Sequence, residues 1–254
     1  MFMPKKEFKL KKVLIMGGSS GIGYSTADLF IKSGAKVFIV GKTKNNVTKA
    51  IERLNSFGNG SCLGTWEDLS TEDGVKNSVE LCLEKFYGKI DVLVNSLGIA
   101  IPNSFLNISL EEWNKVMATN LTSYFLSCKY VSPIMKKIGS GKIINISSIA
   151  GRSYSELCGL HYSCSKAAII TLTKQLAAEL GPWGINVNCI CPGQTYTRML
   201  EPHLKGNGEE EIKINIPLGK IATTEQQANV ILFLASEGSS YMNGAILDVN
   251  GGQL

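Results

Sequence analysis

Short, continuously apolar runs recur along this chain, and each is followed by a longer stretch of helical periodicity. The runs are Val13–Met16, Val37–Val40, a weaker Ser61–Thr65, Ile90–Val94, Lys142–Ile146, Ile185–Ile190 and Ala245–Val249. Between them, residues 22–33, 44–57, 71–87, 111–137 (with a break near Asn120), 161–180 and 225–235 read as helices. Runs of this length that do not alternate with polar residues suit strands covered on both faces. Strands separated by helices of 10–20 residues are βαβ units, which build parallel sheets. The expectation is one α/β domain spanning residues 1–254, a doubly wound, seven-stranded parallel sheet with helices on both faces. No linker or internal repeat interrupts the rhythm. Only residues 194–217, punctuated by Pro202, Gly206 and Gly208, read as irregular. Long loops in such domains are usually functional, so this one is a candidate substrate lid.

Composition narrows the class. Of 254 residues, 44% are hydrophobic and 19% charged, against about 25% charged in an average soluble chain. That excludes a disordered protein and hints at self-association. The net charge of +5 is dispersed, apart from Lys5, Lys6, Lys9, Lys11 and Lys12, which read as a solvated arm before the first strand. Without a basic stripe, no nucleic acid is expected as partner. No apolar run approaches a membrane span, and no signal-length apolar region follows the first lysines; a cytoplasmic location and no membrane contact are expected. Seven cysteines without a CxxC pair read as reduced, mostly buried thiols, and no metal site is expected.

The first apolar run ends in Gly17-Gly18-Ser19-Ser20-Gly21-Ile22-Gly23, which opens the first helix. Glycines at such a junction let backbone approach a pyrophosphate, whose charge is met by the free N–H groups of the helix N-terminus. Gly17, Ser19, Ser20, Gly21, Ile22 and Gly23 are therefore candidate dinucleotide contacts. Two rival readings fail. Gly17-Gly18-Ser19-Ser20-Gly21 fits G-x-S-x-G formally, but it sits on the first strand, and His161 and His203 are the only histidines available to a triad. No Gly-Lys-Ser/Thr closes the turn, so it is not a P-loop. The second strand ends in Val40-Gly41-Lys42 without the acid that would bind a ribose 2′-hydroxyl. Lys42 favours the 2′-phosphate of NADP(H) over NAD(H). Asp68 and Leu69, after the third strand, are candidate adenine contacts.

Tyr162 and Lys166 lie four apart, on one helical face. A nearby lysine, together with the charge of an oxidised nicotinamide, stabilises tyrosinate and lowers a phenol pKa from its usual value near 10. Upstream, Ile143–Ile146 runs into Ser147 and Ser148, at the strand end where parallel sheets bind ligands. A serine there can donate to a substrate carbonyl.

Together with Asn95-Ser96-Leu97-Gly98, Asn120, Pro192-Gly193 and the closing Gly244–Gly252 segment, these signatures resemble the short-chain dehydrogenase/reductase family over the whole chain. Its 3-oxoacyl-acyl-carrier-protein reductase-like branch is the most similar. The resemblance implies a Rossmann fold and hydride transfer between NADP(H) and a ketone or secondary alcohol. The substrate would be of 3-oxoacyl type, carried on a protein or on CoA. Tyr162 would be the general acid, Ser148 would orient the carbonyl, and Lys166 would lower the Tyr162 pKa and bind the nicotinamide ribose. Asn120 would break its helix and hold a water in a proton relay. Asn95 would support the central strands beside the cofactor, and Pro192, Gly193, Thr195 and Thr197 would pass near the nicotinamide amide. A homotetramer or homodimer, joined through the helices at 111–137 and 161–180, is also implied. Three features depart from the family pattern: Met16 replaces a threonine, Ser96-Leu97 replaces Asn-Ala, and the serine–tyrosine interval is one residue longer. The last leaves Ser147 open beside the preferred Ser148. Tyr154, Leu157, Met199 and Leu200 are candidate pocket walls, and His161 is expected to face away from the site. Other readings are an NAD-dependent dehydrogenase of a sugar, steroid or secondary metabolite, and a non-catalytic dinucleotide sensor, against which intact Ser148, Tyr162 and Lys166 speak.

Overall fold

The apolar runs are strands, and helices bury them from both sides. A computed structural model describes residues 8–56 and 61–254. Seven strands, β1 (Lys12–Met16), β2 (Lys36–Gly41), β3 (Cys62–Trp66), β4 (Val92–Asn95), β5 (Gly141–Ile146), β6 (Ile185–Pro192) and β7 (Ile246–Val249), form one parallel sheet. Their order is β3-β2-β1-β4-β5-β6-β7. Because side chains alternate along a strand, each run feeds two cores. Val13, Ile15, Val37 and Ile39 pack under α1 (Gly21–Lys32), α2 (Lys44–Asn55) and α8 (Thr224–Ala235). Leu14, Met16, Phe38, Leu93 and Ile143 pack under α3 (Glu72–Lys85), α5 (Ser123–Ile138) and α6 (Leu160–Leu180). The doubly wound sheet expected from the sequence is the fold observed. Its order reverses between β1 and β4, which opens a crevice at the strands' carboxyl ends.

Several elements differ in detail from expectation. The second helix stops at Asn55, whose side chain leaves the helix to bond both backbone groups of Cys62 at 3.0 Å. The expected end at Phe57 and Gly58 lies outside the described residues, as do Lys5 and Lys6 of the basic arm. The long helix expected over 111–137 is α4 (Leu110–Met117), a wide π turn (Ala118–Thr122) and α5, with Asn120 in the turn as expected. Residues 194–217 are not irregular throughout. They hold a 3₁₀ turn (Glu201–His203) and the short helix α7 (Gly208–Ile214). Leu200, Ile216 and Ile221, with Leu157, Leu204 and Ile212, give this segment its own small apolar cluster. Seven helical residues are too few to show a period, which is why the sequence concealed α7. No described helix is long and apolar enough to cross a membrane. All seven cysteines are free, and five are buried.

A polar chain runs through the α5–α6 side of the sheet. Ser127 donates to Asn95 Oδ1 at 2.7 Å, Asn95 Nδ2 to Asn145 Oδ1 at 2.9 Å, and Asn145 Nδ2 to Thr173 Oγ1 at 2.9 Å. Asn95 and Asn145 are also register partners of β4 and β5. All four side chains are buried, and buried polar groups left unpaired are costly. Replacing Asn145 with Ala takes away the oxygen acceptor of Asn95 Nδ2 and leaves it only the weak acceptor Cys128 Sγ at 3.6 Å. The expected loss is about 1–3 kcal/mol, a fall in Tm of roughly 2–4 °C per kcal/mol for a chain this size, measured by thermal melting. An unchanged Tm would show that the pair does not hold the β4–β5 register.

Candidate active site and dinucleotide cleft

The turn after β1 is held by backbone alone. Gly17 N and Gly18 N both donate to Val40 O of β2, at 2.9 and 3.0 Å. Gly17 has φ +85°, and a side chain on it would meet Ser96 O at 2.4 Å. A Cβ on Gly23 would lie 2.2 Å from Gly17 O, so only glycine lets α1 start this close to the turn. Gly41, at the end of β2, leaves room for Ser19 in the same way. The first turn of α1 carries no acid, and Ser20 at its N-cap makes no capping bond. By contrast, Thr71, Ser109 and Thr223 cap α3, α4 and α8. The α1 amides are therefore left to an outside acceptor, as a pyrophosphate requires. The residues fit a nicotinamide dinucleotide.

A cleft of about 620 Å³ runs from this turn across the switch point. Gly17, Ser19, Ser20, Gly21 and Ile22 line it, as do Lys42, Asp68 and Leu69 at one end and Pro192, Gly193, Thr195 and Thr197 along the other wall. Ser148, Tyr162 and Lys166 lie in it too. Three predicted residues do not line it. Gly23 works by packing against Gly17. Asn120 is fully buried behind the cleft. Asn95, expected beside the cofactor, turns its side chain into the sheet, and Ser96, Leu97, Gly98 and Ile99 face the cleft instead. Tyr154 is exposed and not a wall, whereas Leu157, Met199 and Leu200 are.

The two serines separate clearly. The Ser147 hydroxyl is buried and donates to Lys166 O at 2.7 Å, which ties β5 to α6. The Ser148 hydroxyl accepts from Ala150 N at 3.1 Å and lies close enough to the Tyr162 phenol to pull its pKa down. Lys166, 3% exposed, donates to Leu97 O at 3.1 Å and Ile146 O at 2.9 Å. Its ammonium also lies 5.4 Å from the Tyr124 ring centre and 5.7 Å from that of Tyr162. Tyr124, which sequence reasoning missed, sets its hydroxyl 2.9 Å from Leu97 O and 3.0 Å from Ile146 O, on the same carbonyls. Asn120 ties this frame together: Oδ1 accepts from Ile99 N at 2.8 Å, and Nδ2 donates to Ile99 O and Ser165 Oγ.

Burial dominates the electrostatics. It lowers the Lys166 pKa to about 8, against a partial upward pull from Cys189, Cys191 and Cys158. It raises the Tyr162 pKa, with Cys158 adding to the rise and the Ser148 hydroxyl opposing it. The lowering expected of the phenol draws on the charge of an oxidised nicotinamide as well as on Lys166; in the protein alone, burial governs it. Asp68 is held below its usual value, chiefly by two bonds from Ser70 and less by Lys42. Lys42 and Asp68 sit 3.4 Å apart, with side chains 74% and 49% exposed.

With the geometry in hand, the chain matches known proteins along almost its full length. A family model described as enoyl-(acyl carrier protein) reductase matches residues 17–253. A 3-oxoacyl-acyl-carrier-protein reductase of Chlamydia pneumoniae is 41% identical over 242 residues, covering 95% of this chain and 96% of the relative. A 3alpha-hydroxysteroid dehydrogenase of Mediterraneibacter gnavus is 36% identical, covering 99% and 98%. A 3-oxoacyl-acyl-carrier-protein reductase of Brucella melitensis, solved with bound NAD, superposes with a TM-score of 0.90 at 32% identity, covering 100% and 97%. The chain belongs to the short-chain dehydrogenase/reductase family. It is an oxidoreductase that depends on a nicotinamide dinucleotide.

The Lys166 shift has a measurable sign. Below pH 8 the folded and unfolded chains both carry the proton, and the folded chain bears the full burial cost. Between about 8 and the ordinary 10.5, the unfolded chain binds more protons, so folding gains stability as pH rises. Replacing Lys166 with Met removes that gain. Urea melts of both proteins should show the variant's relative stability falling by about 2–3 kcal/mol between pH 7 and pH 10. Parallel curves would mean the ammonium is not buried as described.

Proposed function

We propose that this enzyme reduces a ketone with NADPH, the substrate being a 3-oxoacyl group or a close relative. The observation that carries this reading is the meeting of the Ser148 hydroxyl, the Tyr162 phenol and the Lys166 ammonium in a cleft that begins at an uncapped helix N-terminus. The amides of Ser20, Gly21 and Ile22 would hold the pyrophosphate, and Lys166 the nicotinamide ribose. Pro192, Gly193, Thr195 and Thr197 would hold the nicotinamide. When bound, that ring supplies hydride to the carbonyl carbon. Ser148 donates to the carbonyl oxygen and polarises it. As the C=O π pair moves onto that oxygen, Tyr162 delivers its proton there. A phenol kept protonated by burial is ready to give a proton in the reductive direction. Lys166 lowers the cost of the resulting phenolate by its charge. Asn120 fixes the π turn. Since its amide is committed to Ile99 and Ser165, a relay water would rest on its main chain.

The preference for NADPH rests on the adenosine end. Lys42 offers a positive charge, and α2 starts nearby with no acid in its first turn and no side-chain cap at Thr43. A substrate of acyl type is supported by the walls Leu157, Cys158, Met199 and Leu200, and by the acyl-carrier-protein named for the relatives. Phe105, Leu106, Leu110 and Phe125 are exposed around α4 and α5, in keeping with a homotetramer or homodimer joined there. A cytoplasmic location goes with this reading.

Replacing Tyr162 with Phe should lower ketone reduction by about 10²–10⁴-fold while leaving NADPH affinity unchanged, as read by nucleotide fluorescence and steady-state rates. Full activity in that variant would refute the acid assignment. Replacing Lys42 with Ala should weaken NADPH about 2- to 5-fold, the scale of one exposed charge contact, and leave NADH unchanged. Equal weakening of both would remove Lys42 as the phosphate reader.

A further inference from the structure

The residue preceding Tyr162 is a histidine with no solvent exposure at all. His161 Nε2 lies 3.0 Å from Glu112 Oε1, in the first turn of α4. The contact has ion-pair distance without hydrogen-bond alignment, and the other ring nitrogen, Nδ1, has no partner. The Glu112 carboxylate meets a third element, for Asn103 Nδ2 reaches its oxygens at 3.3 and 3.5 Å and also donates to Asn107 O. Ser109 caps α4 by accepting from Glu112 N at 3.1 Å, which sets the backbone from which the carboxylate projects.

A buried imidazole with an unpartnered nitrogen costs stability. What it contributes is therefore not tight packing but a fixed direction. Two rungs join the α4 side to α6, Glu112–His161 and Asn120–Ser165, the latter at 3.1 Å. Tyr162 lies between them on α6. Asn120 grips the same loop at Ile99 that Glu112 grips at Asn103, and Ile99 lines the cleft.

We propose that His161 and Glu112 are a positioning pair. They lock the Tyr162 turn of α6 to α4 and hold the loop of residues 99–107 that brings Ile99 to the reacting end of the cleft. The proposal rests on the reading of Tyr162 as the acid. It assigns His161, expected to face away from the site, to the aim of its neighbour rather than to the substrate.

Replacing His161 with Phe keeps a ring of similar size in the buried site and removes the contact to Glu112. In this variant kcat for ketone reduction should fall about 10-fold or more, since small misplacements of reacting groups are costly, with NADPH affinity kept within about 2-fold. H161Q, which can still donate to the carboxylate, should recover most of kcat. The double variant of H161F with Glu112→Gln should be no slower than the slower single one. Hydrogen exchange, which needs no turnover, should speed up in H161F across residues 99–107 and 160–165 while the sheet stays protected. Unchanged kcat, additive losses, no recovery with Gln, or faster exchange throughout the sheet would each overturn the pair. If the native enzyme reduced no ketone with either nucleotide, the acid assignment would fall, and the exchange pattern alone would still decide whether the pair holds the loop.

Discussion

A buried ammonium has to be met by oxygen, and in this enzyme two backbone carbonyls do it. Leu97 O and Ile146 O stand at the carboxyl ends of β4 and β5, and both accept from Lys166. They lie side by side because the strands are parallel and in register, Asn95 opposite Asn145. That register is reinforced by the amide pair these residues make. The Tyr124 hydroxyl sits against the same carbonyls from α5. The position of the Lys166 ammonium thus depends on a sheet, two helices and a buried amide ladder.

The glycine turn solves a different problem, that of bringing backbone to an anion without side chains in the way. Gly17, Gly23 and Gly41 are each packed so closely that a Cβ would fall within 2.5 Å of a neighbouring oxygen. The crowding is internal, strand to turn to helix, and it aims the free amides of α1 outward into the cleft. Ser20 leaves these amides uncapped. A side-chain cap would stabilise the helix by about 1 kcal/mol but would occupy an amide that is otherwise open to an anion.

Local features were legible in the sequence, and contacts between distant segments were not. The glycine spacing, Tyr162 with Lys166, and the serines closing β5 each lie within a few residues, so their period or order shows the face they share. Tyr124 meets Leu97 across 27 residues, Asn95 meets Asn145 across 50, and Ser147 meets Lys166 across 19; nothing in the order of residues announces these pairs. Asn95 was legible as a support of the central strands, which its pair with Asn145 makes it; that its side chain points into the sheet and not into the cleft depends on the pleat, which the order of residues does not show. His161 faces away from the cleft, as its place in the sequence implies. Being one residue from Tyr162 turns it about 100° around the helix, away from the cleft, but only the fold reveals that α4 lies there with a carboxylate.

The departures from the family pattern illustrate how far backbone can substitute for side chain. Met16, where a hydroxyl would tie the glycine turn to the neighbouring strand, is fully buried in apolar surroundings. The tie is made instead by Gly17 N and Gly18 N on Val40 O, and by Ser96 N on Met16 O. At Leu97, both backbone groups meet Tyr124 and the carbonyl also accepts from Lys166. The site uses the main chain there, which leaves the side chain free to pack against two buried apolar clusters. Between Ser148 and Tyr162 the chain passes through a 3₁₀ turn (Ile149–Gly151) and a loop before α6 begins at Leu160. There Arg152 forks onto Asp248 of β7, at 3.0 and 3.1 Å. Clamped at that point and at Ser147, the loop can lengthen without moving Ser148 or Tyr162 relative to one another, so the distance that matters chemically is set by β5 and α6 rather than by the count of residues between them.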